Sequence, residues 1–161
     1  MRFFRSAHRV EPARFDETAA LARLYHRAWS ASAPSISAQL LLDQAVPEEE
    51  VAAWMRGGFE LYHTTHDGAL VGAVRLSFPS GVCHLDRLAV DPDLWRRGHG
   101  RALVENAVSR ARRMGVLRLW AQCSVNLEGA RSLYEHLGFH EQGRFRARYW
   151  KEPVILFERS P

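Results

Sequence analysis

Cysteine, lysine and long apolar runs are all scarce in this 161-residue sequence. Its two cysteines, Cys83 and Cys123, cannot build a disulfide framework, so we expect reduced, buried thiols. No apolar stretch approaches the ~18 to 20 residues of a membrane-spanning helix, and the first residues lack the apolar segment of a secretory signal. These absences argue against a disulfide-stabilised scaffold and a membrane protein, and they favour a cytoplasmic location.

The basic side chains are almost all arginines. Lys151 is the only lysine among 22 basic residues, which exceed the 18 acidic ones and give a net charge of +4. A basic excess is typical of some nucleic-acid-binding proteins, but these arginines are scattered apart from two groups, at 96–101 and 110–118. The second group is typical of a solvated helix face, and the first accompanies the loop described below. We therefore expect no nucleic-acid partner.

Length and composition indicate one globular domain covering residues 1–161. Hydrophobic residues make up 47% of the chain and charged residues 25%, and no internal repeat or low-complexity segment divides it. The eight histidines form no group with cysteine or carboxylate at the spacings of a metal site. We therefore expect a single domain without a metal.

A glycine-containing loop follows an apolar, β-prone segment near the middle of the chain. The segment ends at Val90, and residues 102–114 beyond the loop repeat apolar side chains at helical spacing. Gly98 and Gly100 let the backbone turn closely, so successive N–H groups at the helix start can face one anion. Three arginines within 96–101 add positive charge at this end of the helix dipole. The order of strand, glycine loop and helix predicts a phosphate-binding site.

Two common nucleotide motifs do not fit this loop. It lacks the Gly-Lys-Ser/Thr ending of a nucleotide P-loop, and Leu103 stands where a dinucleotide fingerprint has its third glycine. The phosphate compound is therefore of another class.

The loop and a later segment together resemble the GNAT superfamily of acetyl-CoA-dependent N-acetyltransferases. The matching segments are Leu88-Ala89-Val90-Asp91-Pro92, Arg97-Gly98-His99-Gly100, and Asn126 followed by Ala130, Leu133-Tyr134-Glu135 and Leu137-Gly138-Phe139. The resemblance implies acetyl-CoA as co-substrate, with contacts from Leu88, Ala89, Val90, Arg96, Arg97, Gly98, His99, Gly100, Arg101 and Asn126. Trp95 stands where the family usually has Gln or Arg.

The resemblance also implies an α/β fold. Its sheet is mixed and mostly antiparallel, with six or seven strands, about four helices, and a parallel strand pair that splays apart beside the loop. The strands predicted from the sequence are 6–13, 59–65, 69–78, 82–90, 117–121, 142–148 and 150–159. The first predicted helix begins at a cap on Asp16 or Thr18, and one or two further helices lie within 40–56. The last two predicted helices span 102–114 and Asn126 to Gly138.

Amide formation from a thioester needs a base for the protonated amine and a proton donor for the departing thiolate. The resemblance assigns the donor to Tyr134. For the base, the strand before the loop offers His84 and Asp86, which share a face with Leu88 when no bulge intervenes. A neutral imidazole suits this role near pH 7, whereas Asp86 can instead pair with Arg87 or another neighbouring arginine.

The predicted reaction transfers acetyl from acetyl-CoA to a primary amine of a small molecule or peptide, by direct attack through a tetrahedral intermediate, in a monomer or homodimer. Trp29, Ile36 and Trp54 are candidate walls of the acceptor pocket. Three alternatives remain open. The first is a different acyl-CoA transferase on the same fold, which uses a longer acyl chain or acetylates a peptide N-terminus or a ribosomal protein. The second is a non-catalytic acyl-CoA-binding or sensor protein. The third is a nucleic-acid-binding module, whose affinity for DNA or RNA would depend strongly on salt.

Overall fold

A computed structural model describes residues 8–161 of the chain. Within them, seven strands form one sheet in the order β1-β2-β3-β4-β5-β7-β6. The strands are β1 (Val10–Pro12), β2 (Glu60–His66), β3 (Ala69–Ser77), β4 (Val82–Val90), β5 (Arg118–Ser124), β6 (His140–Ala147) and β7 (Glu152–Arg159). The helices are α1 (Thr18–Ser32), α2 (Ala38–Gln44), α3 (Glu48–Arg56), α4 (His99–Met114) and α5 (Glu128–His136). Of the pairings among residues 8–161, only that of β4 and β5 is parallel, which confirms the predicted sheet class.

The helix boundaries differ from the prediction where a turn residue intervenes. The segment within 40–56 forms two helices, because Pro47 is the extended cap residue of α3. The described part of the chain therefore has five α-helices rather than about four. Glu17 precedes α1, so Thr18 is its first residue rather than its cap, and Asp16 lies in the 3-10 turn before it. Residues 6 and 7 of the first predicted strand lie outside the described residues.

Two apolar cores cover the two faces of the sheet. Helix α4 places Leu103, Ala107 and Ala111 at intervals of four residues, and all three are fully buried against β4, β5 and β7. Helices α1 and α3 cover the other face. Cys83 and Cys123 are free, buried thiols, as predicted, and burial raises the pKa of each to about 12. Both cysteines belong to the α4 core.

Leu103→Ala is expected to lower the free energy of unfolding by about 2–5 kcal/mol, because it leaves a cavity in a close-packed core. Leu117→Ala is the matched control, since Leu117 is 79% exposed. We expect that control to change stability by less than about 0.5 kcal/mol. Urea unfolding of both variants measures the difference, and equal effects would contradict the assignment of the α4 core.

Strand β4 contains a β-bulge at Arg87. Ala73 pairs with Ala89 and Arg75 pairs with Asp86, so Val74 of β3 faces two residues of β4. Arg87 has a φ of +51°, and its carbonyl accepts a 2.7 Å hydrogen bond from the Tyr25 hydroxyl of α1. The bulge is therefore held by a buried tyrosine of α1.

The bulge reverses the alternation of β4 side chains. Leu85 before it and Leu88 after it both contact the α4 core, whereas regular alternation would separate them. Ala89 accordingly joins the core on the opposite face. His84 and Asp86 were expected to share a face with Leu88 only in a strand without a bulge, and the bulge at Arg87 places Leu88 on the other face.

The parallel strands separate one residue before the catalytic candidate Asp86. Their pairing ends at Leu85 and Ala121, after which β5 continues along β7 as far as Ser124. Strand β4 continues along β3 to Val90. The β4 edge that faces β5 is consequently open beyond Leu85, which confirms the predicted splay.

Candidate active site

The loop between β4 and α4 presents an uninterrupted row of backbone donors. A 3-10 turn at Pro92–Leu94 leads into it, and Arg96 and Gly98 have φ values of +62° and +89°. Among the described residues, none accepts a hydrogen bond from the N–H groups of 96–101. These donors lie at the start of a 16-residue helix, where the helix dipole favours an anion. The structure therefore has the predicted order of strand, glycine loop and helix, and phosphate binding by this loop stays a prediction.

Gly100 allows α4 to approach α5 closely. A Cβ atom at this position would lie 3.2 Å from Cδ2 of Leu133 and 3.8 Å from Cγ2 of Val90. The loop carries exposed Arg96 and Arg97, whereas Arg101 is paired with Glu105 at 2.8 Å. Arg96 and Arg97 therefore add exposed positive charge to the loop.

Two ring side chains of the loop, Trp95 and His99, make contacts within the protein. Trp95 donates its indole N–H to the Val90 carbonyl at 2.8 Å. His99 is 1% exposed, and its Nδ1 lies 3.0 Å from the Thr64 hydroxyl while its ring stacks on His8 at 3.8 Å. Burial, then the nearby His8 and His66, lowers the pKa of His99. His99 thus offers the loop its backbone N–H rather than a charged side chain.

A cavity of about 170 Å³ lies in the wedge between β4 and β5. Its wall includes Trp29, Asp43, His84, Asp86, Tyr134 and Trp150. The structure therefore brings the three catalytic candidates to one cavity, although they come from β4 and α5. Trp29 lines the cavity as predicted, whereas Ile36 and Trp54 do not.

Tyr134 is a buried phenol, 3% exposed, at the α5 side of this cavity. Its ring lies 5.3 Å from that of Phe139 and 5.6 Å from that of Phe157. Within residues 8–161 its hydroxyl has no hydrogen-bond partner. Burial, followed by the charges of Cys123 and Asp86, raises the pKa of Tyr134. The phenol therefore keeps its proton at neutral pH.

Asp86 is held by a cross-strand arginine. Nε and Nη2 of Arg75 donate to its two carboxylate oxygens at 2.7 and 2.6 Å, so its partner is Arg75 rather than Arg87. The Arg75 guanidinium in turn lies over the rings of Trp54, at 4.5 Å, and Phe59, at 4.2 Å. His84 Nδ1 is 4.0 Å from Asp86 Oδ2. Asp86 is thus a fixed negative charge beside the imidazole.

A second carboxylate in the cavity, Asp43 of α2, was not among the predicted site residues. Its Oδ2 accepts from Gln44 Nε2 at 2.9 Å and Trp150 Nε1 at 3.1 Å, and lies 3.6 Å from Arg87 Nη2. Arg87 also lies 5.0 Å over Trp54, the ring that supports Arg75. In the described part of the chain, Oδ1 of Asp43 has no hydrogen-bond donor. Oδ1 of Asp43 therefore remains available to accept a hydrogen bond on the α2 side of the cavity.

Asn126 is engaged at the end of β5. Its Nδ2 donates to Glu152 at 3.0 Å, and Ser124 Oγ donates to the same carboxylate at 2.5 Å. Burial alone raises the pKa of Glu152, but hydrogen bonds from Ser124, the Ser37 backbone and Asn126 outweigh it and hold that pKa below its usual value. The predicted contact of Asn126 with acetyl-CoA stays a prediction.

Residues 8–161 contain neither a metal-binding cluster nor a membrane-spanning helix. No three side chains among His, Cys, Asp and Glu are grouped so that they would hold a metal ion in this range. No helix in the same range combines the length and apolar character needed to cross a membrane.

The sequence profile of the Acetyltransferase (GNAT) family matches residues 18–139, more than half of the chain. The chain is 44% identical over 57 residues to [ribosomal protein bS18]-alanine N-acetyltransferase of Escherichia coli (strain K12), a stretch covering 35% of this chain and 38% of that protein. It is 37% identical over 111 residues to mycothiol acetyltransferase of Beutenbergia cavernae, covering 68% of this chain and 37% of that protein. The matches span less than half of either relative.

Solved structures share the fold. The ribosomal-protein-S18-alanine N-acetyltransferase from Escherichia coli superposes with a TM-score of 0.75 at 23% identity, covering 95% of this chain and 93% of that one. PaiA N-acetyltransferase from Thermoplasma acidophilum, in complex with coenzyme A, gives a TM-score of 0.80 at 14% identity, covering 96% and 99%. Profile, splayed sheet and loop agree with the resemblance found in the sequence, and the chain belongs to the GNAT acetyltransferase family.

Proposed function

We propose that residues 1–161 form one N-acetyltransferase domain that transfers acetyl from acetyl-CoA to a primary amine of a small molecule or peptide. The observation that carries this proposal is the cavity in which Tyr134 and His84 meet, at the splay of β4 and β5. Both groups needed for amide formation from a thioester are then present in one place, a base and a proton donor. The relatives named above act on a protein alanine and in mycothiol acetylation, so both acceptor classes are retained.

Binding of the co-substrate would use backbone groups more than side chains. The N–H groups of 96–101 would hold its phosphates, with Arg96 and Arg97 adding charge. The open edge of β4 at Leu88–Val90 would hydrogen-bond its extended arm as a strand would, with Asn126 contacting the arm from the β5 side. When bound there, acetyl-CoA supplies the activated acetyl group.

His84 would remove the proton from the attacking amine. An alkylamine has an ordinary pKa of about 10.4, so almost all of it arrives protonated at pH 7. Asp86, fixed by Arg75 and 4.0 Å from the ring, would stabilise the imidazolium that results. Asp86 itself is less suited to the base role because both of its oxygens already accept from the guanidinium.

Tyr134 would return a proton to the departing thiolate. Its raised pKa keeps the phenol protonated, and the thiolate forms in the same water-poor wedge, where its own proton affinity is increased. A hydroxyl without an internal partner is free to donate there, which makes Tyr134 the general acid of the proposal.

His84→Ala is expected to lower turnover at neutral pH by at least about tenfold. A positioned general base typically contributes on the order of 10²-fold or more, so the loss can approach that size. The deficit should narrow toward alkaline pH, because more of the amine is then unprotonated and needs no base. Steady-state rates from pH 6 to 10 measure this. His26→Ala, at an exposed position of α1, is the control. An unchanged rate and pH profile would exclude His84 as the base and would leave Asp86, a water chain or the unprotonated fraction of the amine in that role.

The proposed activity is tested by a panel of small amines and short peptides with acetyl-CoA, read by release of free thiol. Amine-dependent release with acetylated product supports the proposal. Tight acetyl-CoA binding by calorimetry with no release for any amine would contradict it and favour the non-catalytic acyl-CoA-binding alternative.

A further inference from the structure

The outermost strand of the sheet, β6, is an open edge. Among the described strands it pairs only with β7, on one side, and every residue from His140 to Arg146 is exposed. Eight residues long, it leaves a row of backbone N–H and C=O groups toward solvent. Such an edge can accept one more extended polypeptide strand.

Basic and aromatic side chains alternate along this edge and its turn. Residues 144–151 read Arg-Phe-Arg-Ala-Arg-Tyr-Trp-Lys and contain no acidic residue. Within residues 8–161, Arg146, Arg148 and Lys151 have no carboxylate within 4.0 Å, whereas Arg144 pairs with Glu141 at 2.5 Å. Three unpaired positive charges thus border one strand. Glu152, the next acidic residue, is buried and points into the protein.

The same hairpin forms part of the cavity wall. Trp150 lines the cavity, and its indole N–H donates to Asp43. The Trp150 carbonyl accepts from the Ser37 hydroxyl, and Lys151 N–H closes the turn on the Ala147 carbonyl at 2.8 Å. The turn that ends the basic edge therefore also contributes Trp150 to the wall of the catalytic cavity.

We propose that β6 docks an extended, acidic segment of a polypeptide acceptor, whose amine then reaches the cavity past Trp150. This rests on the proposed function. The acceptor segment would add a strand to the sheet, and its Asp and Glu side chains would meet Arg146, Arg148 and Lys151. Phe145 and Tyr149, 46% and 67% exposed, would supply apolar contact.

The open backbone edge favours a polypeptide over RNA. Arginine and exposed aromatic side chains suit both classes of polyanion. Only a polypeptide, however, can satisfy the unpaired N–H and C=O groups of β6 with a matching ladder of its own. Salt lowers affinity in either case, so salt dependence alone does not separate them.

The test measures binding directly, so it does not depend on turnover. Fluorescein-labelled ten-residue peptides with four Glu, four Gln or four Lys residues on a common framework are titrated with the full chain. We expect the Glu peptide to bind at least about tenfold more tightly than the Gln peptide, the sum of several exposed ion pairs. Alternate backbone N-methylation of the Glu peptide keeps its charges and should abolish this binding.

Matched variants locate the surface. Arg146→Gln with Arg148→Gln is expected to weaken Glu-peptide binding about three- to tenfold. Arg23→Gln with Arg113→Gln removes two exposed charges elsewhere and should leave it unchanged. Equal affinity for the Glu and Gln peptides, indifference to N-methylation, or tighter binding of an octauridylate than of the Glu peptide would each overturn the proposal. If the Glu peptide binds as expected but no amine of the panel, small or peptide, is acetylated, the docking surface stands and the proposed reaction fails.

Discussion

Tyr134→Phe is expected to lower turnover by on the order of 10²-fold or more while leaving acetyl-CoA affinity within a few-fold. The phenylalanine ring has nearly the same shape, so its packing against Phe139 and Phe157 is retained. Only the hydroxyl is lost. Because that hydroxyl has no internal hydrogen bond among the described residues, its removal strands no buried partner and should not lower stability.

Tyr62→Phe is the matched control for a lost phenol. Its hydroxyl donates to Glu60 at 2.9 Å and does not line the cavity. We expect normal turnover from this control. Single-turnover rates and calorimetric titration with coenzyme A separate chemistry from binding. Parallel losses of rate and affinity in Tyr134→Phe would instead identify Tyr134 as a packing residue.

Most of the fold was predictable because its signals are local. The hairpin at His66-Asp67-Gly68 and the helical spacing after Gly100 each depend on a few neighbouring residues. The first strand begins at Val10 rather than at residue 6, and the other boundaries that shifted did so by one to three residues. Helix α5, for example, occupies Glu128–His136, and Gly138 lies beyond it with a φ of +83°.

The bulge was not predictable in the same way. A period-2 pattern carries no mark at Arg87, and a non-glycine residue with a φ of +51° is not indicated by its type. The hydrogen bond to its carbonyl also comes from 62 positions away in sequence, where Tyr25 donates to Arg87. One inserted residue then decides which face each later β4 side chain occupies.

The acceptor side of the site depends on contacts between distant segments. Asp43 and Trp150 are 107 positions apart, and only the folded hairpin brings the indole to the carboxylate. The pair of Arg75 and Asp86 requires the observed β3–β4 register, which the bulge sets. A polar Asp-Gln pair at the end of the apolar α2 was the one local signal that the sequence offered.

Replacing both loop glycines, as Gly98→Val with Gly100→Val, is expected to weaken acetyl-CoA binding by about 10²-fold or more. Valine is strained at the +89° φ of Gly98, and a Cβ at Gly100 would press on Leu133 at 3.2 Å. The strain at position 98 and the contact at position 100 each cost the loop in its binding geometry about 1–3 kcal/mol. Every 1.4 kcal/mol of lost binding free energy lowers the affinity about tenfold.

The expected loss arises because the affected atoms are the binding groups themselves. A shift of the backbone at 98 and 100 redirects several of the N–H groups of 96–101 at once, and no side chain in the loop replaces them. Gly81→Val is the matched control, since Gly81 has a similar φ of +77°, lies outside the loop, and leaves a Cβ atom at that position with no neighbour within 4 Å. It should lower stability through the same positive-φ strain as Gly98→Val, without changing affinity. Calorimetry with acetyl-CoA and urea unfolding of both proteins measure the two effects, and unchanged affinity in the doubly substituted protein would show that the amides of 96–101 do not hold the phosphates.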